Sequence, residues 1–170
     1  MAQTISVFQY SAPFGRMDGH TAFATKEYPV ANGVTVTNGD FVYFSSGTVT
    51  NASVNGARLV GMAQGTVVGN SSGTNTVLVI VDPFMRYLMK STTSLTISNN
   101  TNSNIGQYFD ITGATGAQTV SNTGTTLGAF LLLDVPGTTT FPNTGLNIPS
   151  STTVGLFVLV NSFVNPYVAS

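Results

Sequence analysis

The pentapeptide Gly69-Asn70-Ser71-Ser72-Gly73 fits G-x-S-x-G, the pattern that presents a nucleophilic serine at a sharp strand-to-helix turn with a histidine in reach. The residues that follow, TNTVLVIV, read as a strand and not a helix, so the expectation is a hairpin turn. The single histidine, His20, lies in RMDGHT. Asp18 has the chemistry to orient its imidazole, but no nucleophile has a matching context. One histidine does not supply the two or three imidazoles typical of a catalytic zinc, and a solvated turn position is the plainer reading. There is no cysteine, which removes disulfides, thiol catalysis and thiolate metal sites.

Six carboxylates, Asp18, Glu27, Asp40, Asp82, Asp110 and Asp134, are spread along the chain. Glycoside cleavage needs a pair of acids facing one cleft, which spacing alone does not decide. Asp40 follows Asn-Gly and Asp82 precedes Pro83, both ordinary turn positions. No D-x-D-x-D-G run for calcium and no glycine-rich phosphate loop with a lysine occurs. Asn51, Asn70 and Asn99 head formal glycosylation triplets, which chance supplies in a chain this rich in Asn, Ser and Thr. The expectation is a protein that is not an enzyme, with no catalytic residues, no metal and no cofactor.

The elements that would position any site are strands. Period-2 alternation marks Val34–Thr37, Phe41–Phe44, Thr48–Thr50, Leu59–Val68, Thr76–Val81, Phe84–Ser91, Leu95–Ser98, Gln107–Thr112, Gln118–Ser121, Leu127–Val135 and Val154–Val164. Between them stand Asn32-Gly33, Asn38-Gly39, Ser46-Gly47, Asn55-Gly56 and Asn122-Thr123-Gly124, residues that tolerate the positive φ of tight turns. Gly61 and Gly65 inside RLVGMAQGTVV signal a bulge or a barrel corner. TVLVIV is continuously apolar and predicts a central strand covered on both faces; LGAFLLLDV reads the same way and suits a second core layer. Residues 91–104 and Pro136–Thr153 read as long surface loops.

Composition limits the partners. Charged residues make up 6% of the 170, against roughly 25% in an ordinary soluble domain. The surface must therefore be covered largely by hydroxyls and amides. Arg16, Lys26, Arg58, Arg86 and Lys90 do not cluster, which argues against direct nucleic-acid binding and against an anionic membrane surface. Residues 135–170 carry no Asp, Glu, Lys, Arg or His, and predict a segment buried against another subunit or laid on a larger assembly, with an exposed Thr/Asn-rich loop system as the alternative. No basic region followed by an apolar run opens the chain, and VGLFVLV is far short of the roughly 20 residues of a membrane helix. Synthesis in a cytoplasm without export is expected.

The run ANGVTVTNGDFVYFSSGTVTNASVNGARLVGMAQGTVV, then TVLVIVDPFMRYLMK and IGQYFDITGATGAQTVS, resembles the capsid decoration (cement) proteins of tailed bacteriophages. The matching positions are Gly39-Asp40, Gly61–Gly65, Val77–Val81, Tyr87-Leu88-Met89-Lys90 and Gly106–Ile111, and the likeness covers about residues 28–135. The resemblance implies a β-barrel or β-sandwich on the outer capsid surface of a virion, often a homotrimer, bound to the major capsid protein and made in the host cytoplasm. Its task would be to hold the shell closed by added interface area. Sheet edges without lysine would favour strand addition from a neighbour.

The expected fold is all-β, a small β-barrel or β-sandwich with room for a second β subdomain and an extended N-terminal arm. The expected divisions are an arm at 1–28, a β core domain at 29–135, and at 136–170 an uncharged loop and C-terminal strand that completes the core or an inter-subunit contact. The aromatics of the first segment, Phe8, Tyr10 and Phe14, are the candidate capsid contacts. The alternatives are a carbohydrate-binding β-sandwich, with Tyr43, Tyr87, Tyr108 and Tyr167 as stacking candidates, or a head-fibre base.

Overall fold

The computed structural model describes residues 11–52, 59–95, 104–122, 128–135 and 153–160. All regular structure there is β: β1 (Ser11–Arg16), β2 (Thr25–Pro29), β3 (Thr35–Val36), β4 (Phe41–Ser45), β5 (Thr48–Asn51), β6 (Leu59–Ala63), β7 (Val67–Val68), β8 (Thr76–Ile80), β9 (Met85–Lys90), β10 (Tyr108–Thr112), β11 (Thr119–Ser121), β12 (Phe130–Asp134) and β13 (Val154–Leu159). They form a six-stranded sheet in the order β1-β9-β13-β12-β10-β11, a five-stranded sheet in the order β2-β8-β6-β4-β5, and the small pair β3-β7. Every strand pairing is antiparallel.

Strict alternation makes the five-stranded sheet two-faced. Along β4, Phe41 and Tyr43 pack into the core shared with the six-stranded sheet, while Val42 and Phe44 face a second core. That second core, rich in valine, is built from Val30, Val36, Val42, Val49, Val60, Ala63, Val77 and Val79. The shared core is aromatic. Phe41 meets Tyr87 edge-on at 4.9 Å and Phe130 at 4.7 Å, and Phe157 meets Phe109 at 5.2 Å. Each such pair adds about 0.5–1.5 kcal/mol beyond its buried area.

β6 requires a phase change, because Leu59 and Met62 share one core and Val60 and Ala63 the other. A bulge supplies it: Val42 pairs with Gly61 but Tyr43 pairs with Leu59, so one residue of β6 is extra. Gly61 is obligatory there, since an added Cβ would lie 1.8 Å from the Ile80 carbonyl oxygen.

The structure departs from the sequence expectations in three places. First, β8 lies inside the five-stranded sheet, but only part of one face is covered: Thr76 is exposed and Leu78 is 37% exposed. The six-stranded sheet covers Ile80 and does not extend to Leu78. Second, residues 11–28, expected to form no clear element, are strands on the protein's own sheets, β1 pairing with β9 and β2 with β8. This is one of the two packings left open for the arm, on its own chain or on a neighbour. The first ten residues lie outside the described residues. Third, the sheet edges are protected against strand addition. β2 carries exposed Lys26 and Glu27, and β1 carries Pro13 and a register slip before Gly15. The opposite edges curl back, β5 bridging to Val30 and β11 to Ser91, each through one parallel bridge, so neither sheet closes into a full barrel.

The segments 29–135 and 136–170 interlock. β13 lies between β9 and β12, which do not pair with each other, and all six of its residues are buried. Residues 96–103 and 136–152, within the two expected loops, lie outside the described residues, as does the expected strand continuation at 161–164.

Candidate functional site

Of the groups singled out for chemistry, Asp18 and Asp82 meet on Arg16, and the His20 backbone amide bonds to Asp18. Ser71 and Ser72 stand exposed in a loop between β7 and β8, which is organised by the Asn70 side chain. Its Oδ1 accepts the Thr74 and Asn75 amides and its Nδ2 donates to the Thr74 hydroxyl at 2.8 Å. The loop is not the expected hairpin, since β7 pairs with β3 while β8 pairs with β2 and β6. No helix follows, so the geometry of a nucleophile elbow is missing.

Two turn aspartates are buried and structural, a role that turn chemistry alone did not reveal. Asp40, 1% exposed, accepts the Thr37 amide at 2.8 Å, the Thr115 hydroxyl, and the Gly116 amide at 2.7 Å. It therefore ties the start of β4 to the β10–β11 hairpin of the other sheet. Gln118, equally buried, completes the link: Oε1 accepts the Phe41 amide, and Nε2 donates to the Phe41 and Ala52 carbonyls. Asp82 does the same at the far corner. It accepts the Ala24 amide at 3.1 Å, the Phe84 amide at 2.9 Å and a charged hydrogen bond from Arg16.

Arg16 also forms a fork on Asp18, with Nε to Oδ1 at 2.8 Å, and donates to the Ala22 carbonyl. The guanidinium holds the Asp18 carboxyl well below the usual carboxylate range, chiefly through these hydrogen bonds, and is itself pushed up by them. His20 is exposed beyond this pair and donates its backbone amide to Asp18. Its placement matches a turn histidine.

A cleft lies at this corner. About 370 Å³ in volume, it opens between β1, the loop after it and the start of β9, lined by Pro13, Gly15, His20, Thr21, Phe23 and Arg86 among others. Phe23 is 40% exposed; Phe84 (37%) and Met17 (47%) stand nearby, joined by the Met17 amide to the Phe84 carbonyl at 2.9 Å. Arg86 donates to the Gly15 carbonyl at 3.4 Å and the Arg16 carbonyl at 3.2 Å, with its guanidinium 5.4 Å from the centre of the Phe14 ring.

The chain matches no protein-family model and no curated protein. Among the described residues there is no group of three or more His, Cys, Asp or Glu placed to hold a metal, and no helix long and apolar enough to cross a membrane.

Of the candidate contact residues, Phe8 and Tyr10 lie outside the described residues. Phe14 is half-buried on β1, packed with Leu88, Val154 and Leu156 on the outer face of the six-stranded sheet. Of the stacking tyrosines, Tyr87 is fully buried, Tyr43 packs against the shared core, and Tyr167 lies outside the described residues. Tyr108 is 42% exposed on β10. Beside it, Gln107 Oε1 accepts the side-chain amides of Asn104 and Asn122.

Proposed function

We propose that the protein is a non-enzymatic structural component of a virion, a decoration protein that binds the outer capsid surface through the major capsid protein and stabilises the shell. The observation that carries this reading is where the few charged groups go. Asp40 and Asp82 are buried in hydrogen bonds that join the two sheets, and Asp18 is bound to Arg16. What remains outside is dominated by hydroxyls, amides and isolated apolar side chains. Contacts made by such a surface change little with salt, unlike exposed ion pairs. The order of turn, bulge and strand motifs from Gly39-Asp40 to Gly106–Ile111 supports the same reading.

In this reading the protein acts as a homo-oligomer, a trimer favoured, without contact to nucleic acid or membrane. With the sheet edges protected, attachment runs through side-chain surfaces. A titration onto purified shells lacking the protein tests it. Saturation at a copy number set by icosahedral symmetry, with better survival of the shells on heating, is expected. Absence of binding overturns the reading.

A second reading rests on Tyr108. An exposed aromatic beside the Asn104–Gln107–Asn122 amides is suited to stacking a sugar ring and bonding its hydroxyls. Glycan screening with wild type and Tyr108→Ala separates the two. Glycan binding lost in the variant, with no shell binding, favours the carbohydrate reading.

A further inference from the structure

The two large sheets are built on one plan. In the first, β4 and β5 form a hairpin, β6 pairs with β4, β8 with β6 and β2 with β8. In the second, β10 and β11 form a hairpin, β12 pairs with β10, β13 with β12 and β9 with β13. The correspondence reaches single hydrogen bonds. The Asp40 amide donates to the Thr37 carbonyl at 2.9 Å, and the Gln107 amide to the Asn104 carbonyl at 3.0 Å. The Gly39 amide donates to the Ala63 carbonyl and the Gly106 amide to the Leu132 carbonyl, each at 2.9 Å. Val30 bridges in parallel to Val49 as Ser91 does to Val120, within the matching stretches TVTN and TVSN. On this register Phe41, Met62 and Ile80 of the first sheet correspond to Tyr108, Leu131 and Val158 of the second.

The two rows are used differently. Phe41, Met62 and Ile80 are fully buried in the core between the sheets, so here the row is the face through which one unit of this plan binds another. Its counterpart lies on the outer face of the second sheet, because the alternate residues Phe109, Phe130 and Phe157 point into the core. Val158 is covered, but Tyr108 is 42% exposed, Leu131 is half-buried, and Ile105 in the turn before β10 is 40% exposed. The polar groups beside them are the amides of Asn104, Gln107 and Asn122. Residues 91–133, which build this corner, hold one charged side chain, Asp110, and it is buried. Beside a symmetry axis every side chain meets its own copies, so charge placed there repels itself and an uncharged apolar surface does not. The first sheet also shows what such a row binds, namely another unit of the same plan, which a second copy of the chain supplies.

We propose that the corner carrying Ile105, Tyr108 and Leu131 is the surface through which copies of this chain associate, with Tyr108 of each copy beside the symmetry axis. The inference rests on the homo-oligomer of the reading above and not on the capsid. Assembly through Tyr108 without binding to shells would support it while that reading falls. Binding to shells as a monomer would overturn it and leave the decoration role standing.

Sedimentation equilibrium of the full-length protein, from micromolar to submillimolar concentration, tests it. The wild type should sediment as a closed oligomer. Tyr108→Lys sets like charges together at the axis and should raise the concentration of half-dissociation about tenfold or more. High salt should recover part of that loss, because the introduced lysines are exposed and screened. Tyr108→Ser, which adds no charge, should weaken assembly without the salt response, and it serves if the lysine variant loses its circular dichroism signature. Phe23→Ser removes an aromatic that is 40% exposed but lies outside this corner, and should change nothing. A wild type that stays monomeric throughout, or a Tyr108→Lys variant that assembles as the wild type does, would overturn the proposal. So would an equal loss in Phe23→Ser.

Discussion

The Asp40 carboxylate accepts the Gly116 amide at 2.7 Å, and this bond joins residues 76 positions apart on two different sheets. With the Thr37 amide and the Thr115 hydroxyl on the same side chain, it fastens the β10–β11 hairpin to the start of β4. Replacing Asp40 by Ala leaves buried donors without an acceptor, for an expected loss of about 3 kcal/mol in urea denaturation. Asp40→Asn keeps the shape but turns an NH2 group toward at least one donor, so it should recover only part of that. A loss below the error of the measurement would show that the clasp is incidental.

Gly61→Ala should be more damaging. Its Cβ would stand 1.8 Å from the Ile80 carbonyl oxygen, backbone that does not yield without parting β6 from β8. The expected destabilisation is about 3 kcal/mol or more, enough to abolish folding of a marginal domain. The solvent-facing glycine at position 73, with nothing within 4 Å of an added Cβ, makes the control, although its φ of +65° means Ala there is mildly strained.

Tyr87 is fully buried and its hydroxyl has no hydrogen-bond partner among the described residues. Tyr87→Phe should therefore be neutral or stabilising by about 1 kcal/mol, since it removes a desolvated group while keeping the ring against Phe41. Burial pushes the phenol up, and the charge of Asp82 adds to it. The folded state thus holds this proton more tightly than the unfolded chain. The associated stability is present below the ordinary phenol range, about pH 10, and is lost as the pH rises past it. A scan of unfolding midpoints into alkali should fall less steeply for Tyr87→Phe than for wild type.

Asp18 works in the opposite direction. Its carboxyl is held low by Arg16, so its contribution is present above the ordinary Asp range, about pH 4, and fades as the pH falls below that. The gap in midpoint between wild type and Asp18→Asn should close on acidification. Because the pair is exposed to solvent, the gap should also shrink with salt. A gap independent of both would mean the pair does not stabilise the fold.

Deleting residues 1–28 removes β1 and most of β2, one edge of each large sheet. Circular dichroism should show a chain that melts far earlier or fails to fold. Deleting residues 1–10 removes Phe8 and Tyr10 and no described strand, and should leave the melt nearly unchanged. Undiminished shell binding by this shorter deletion would exclude those two aromatics as the contact.

Local chemistry in the sequence reaches the strands from β3 to β13 well. Alternation such as Phe41-Val42-Tyr43-Phe44 and corners such as Asn38-Gly39 act within a few residues, and those rules suffice for a strand buried on a face. SAPFGR and TKEYP escape them. An edge strand is paired on one side only, so proline, glycine and charge are tolerated, and what makes these segments strands is the ladder offered by β9 and β8. The shortage of charge is likewise a property of the sequence.

The remaining pairings come from packing in three dimensions. That β13 inserts between β9 and β12 is a choice among non-local pairings that no window of residues records. The same holds for Arg16 meeting Asp82 across 66 positions, and for Arg86 being left with carbonyls while both nearby carboxylates go to Arg16. Charge and spacing list the groups available, but packing assigns their partners, because an ion pair depends on distance in space and a chain with few charges can place each of them in many ways.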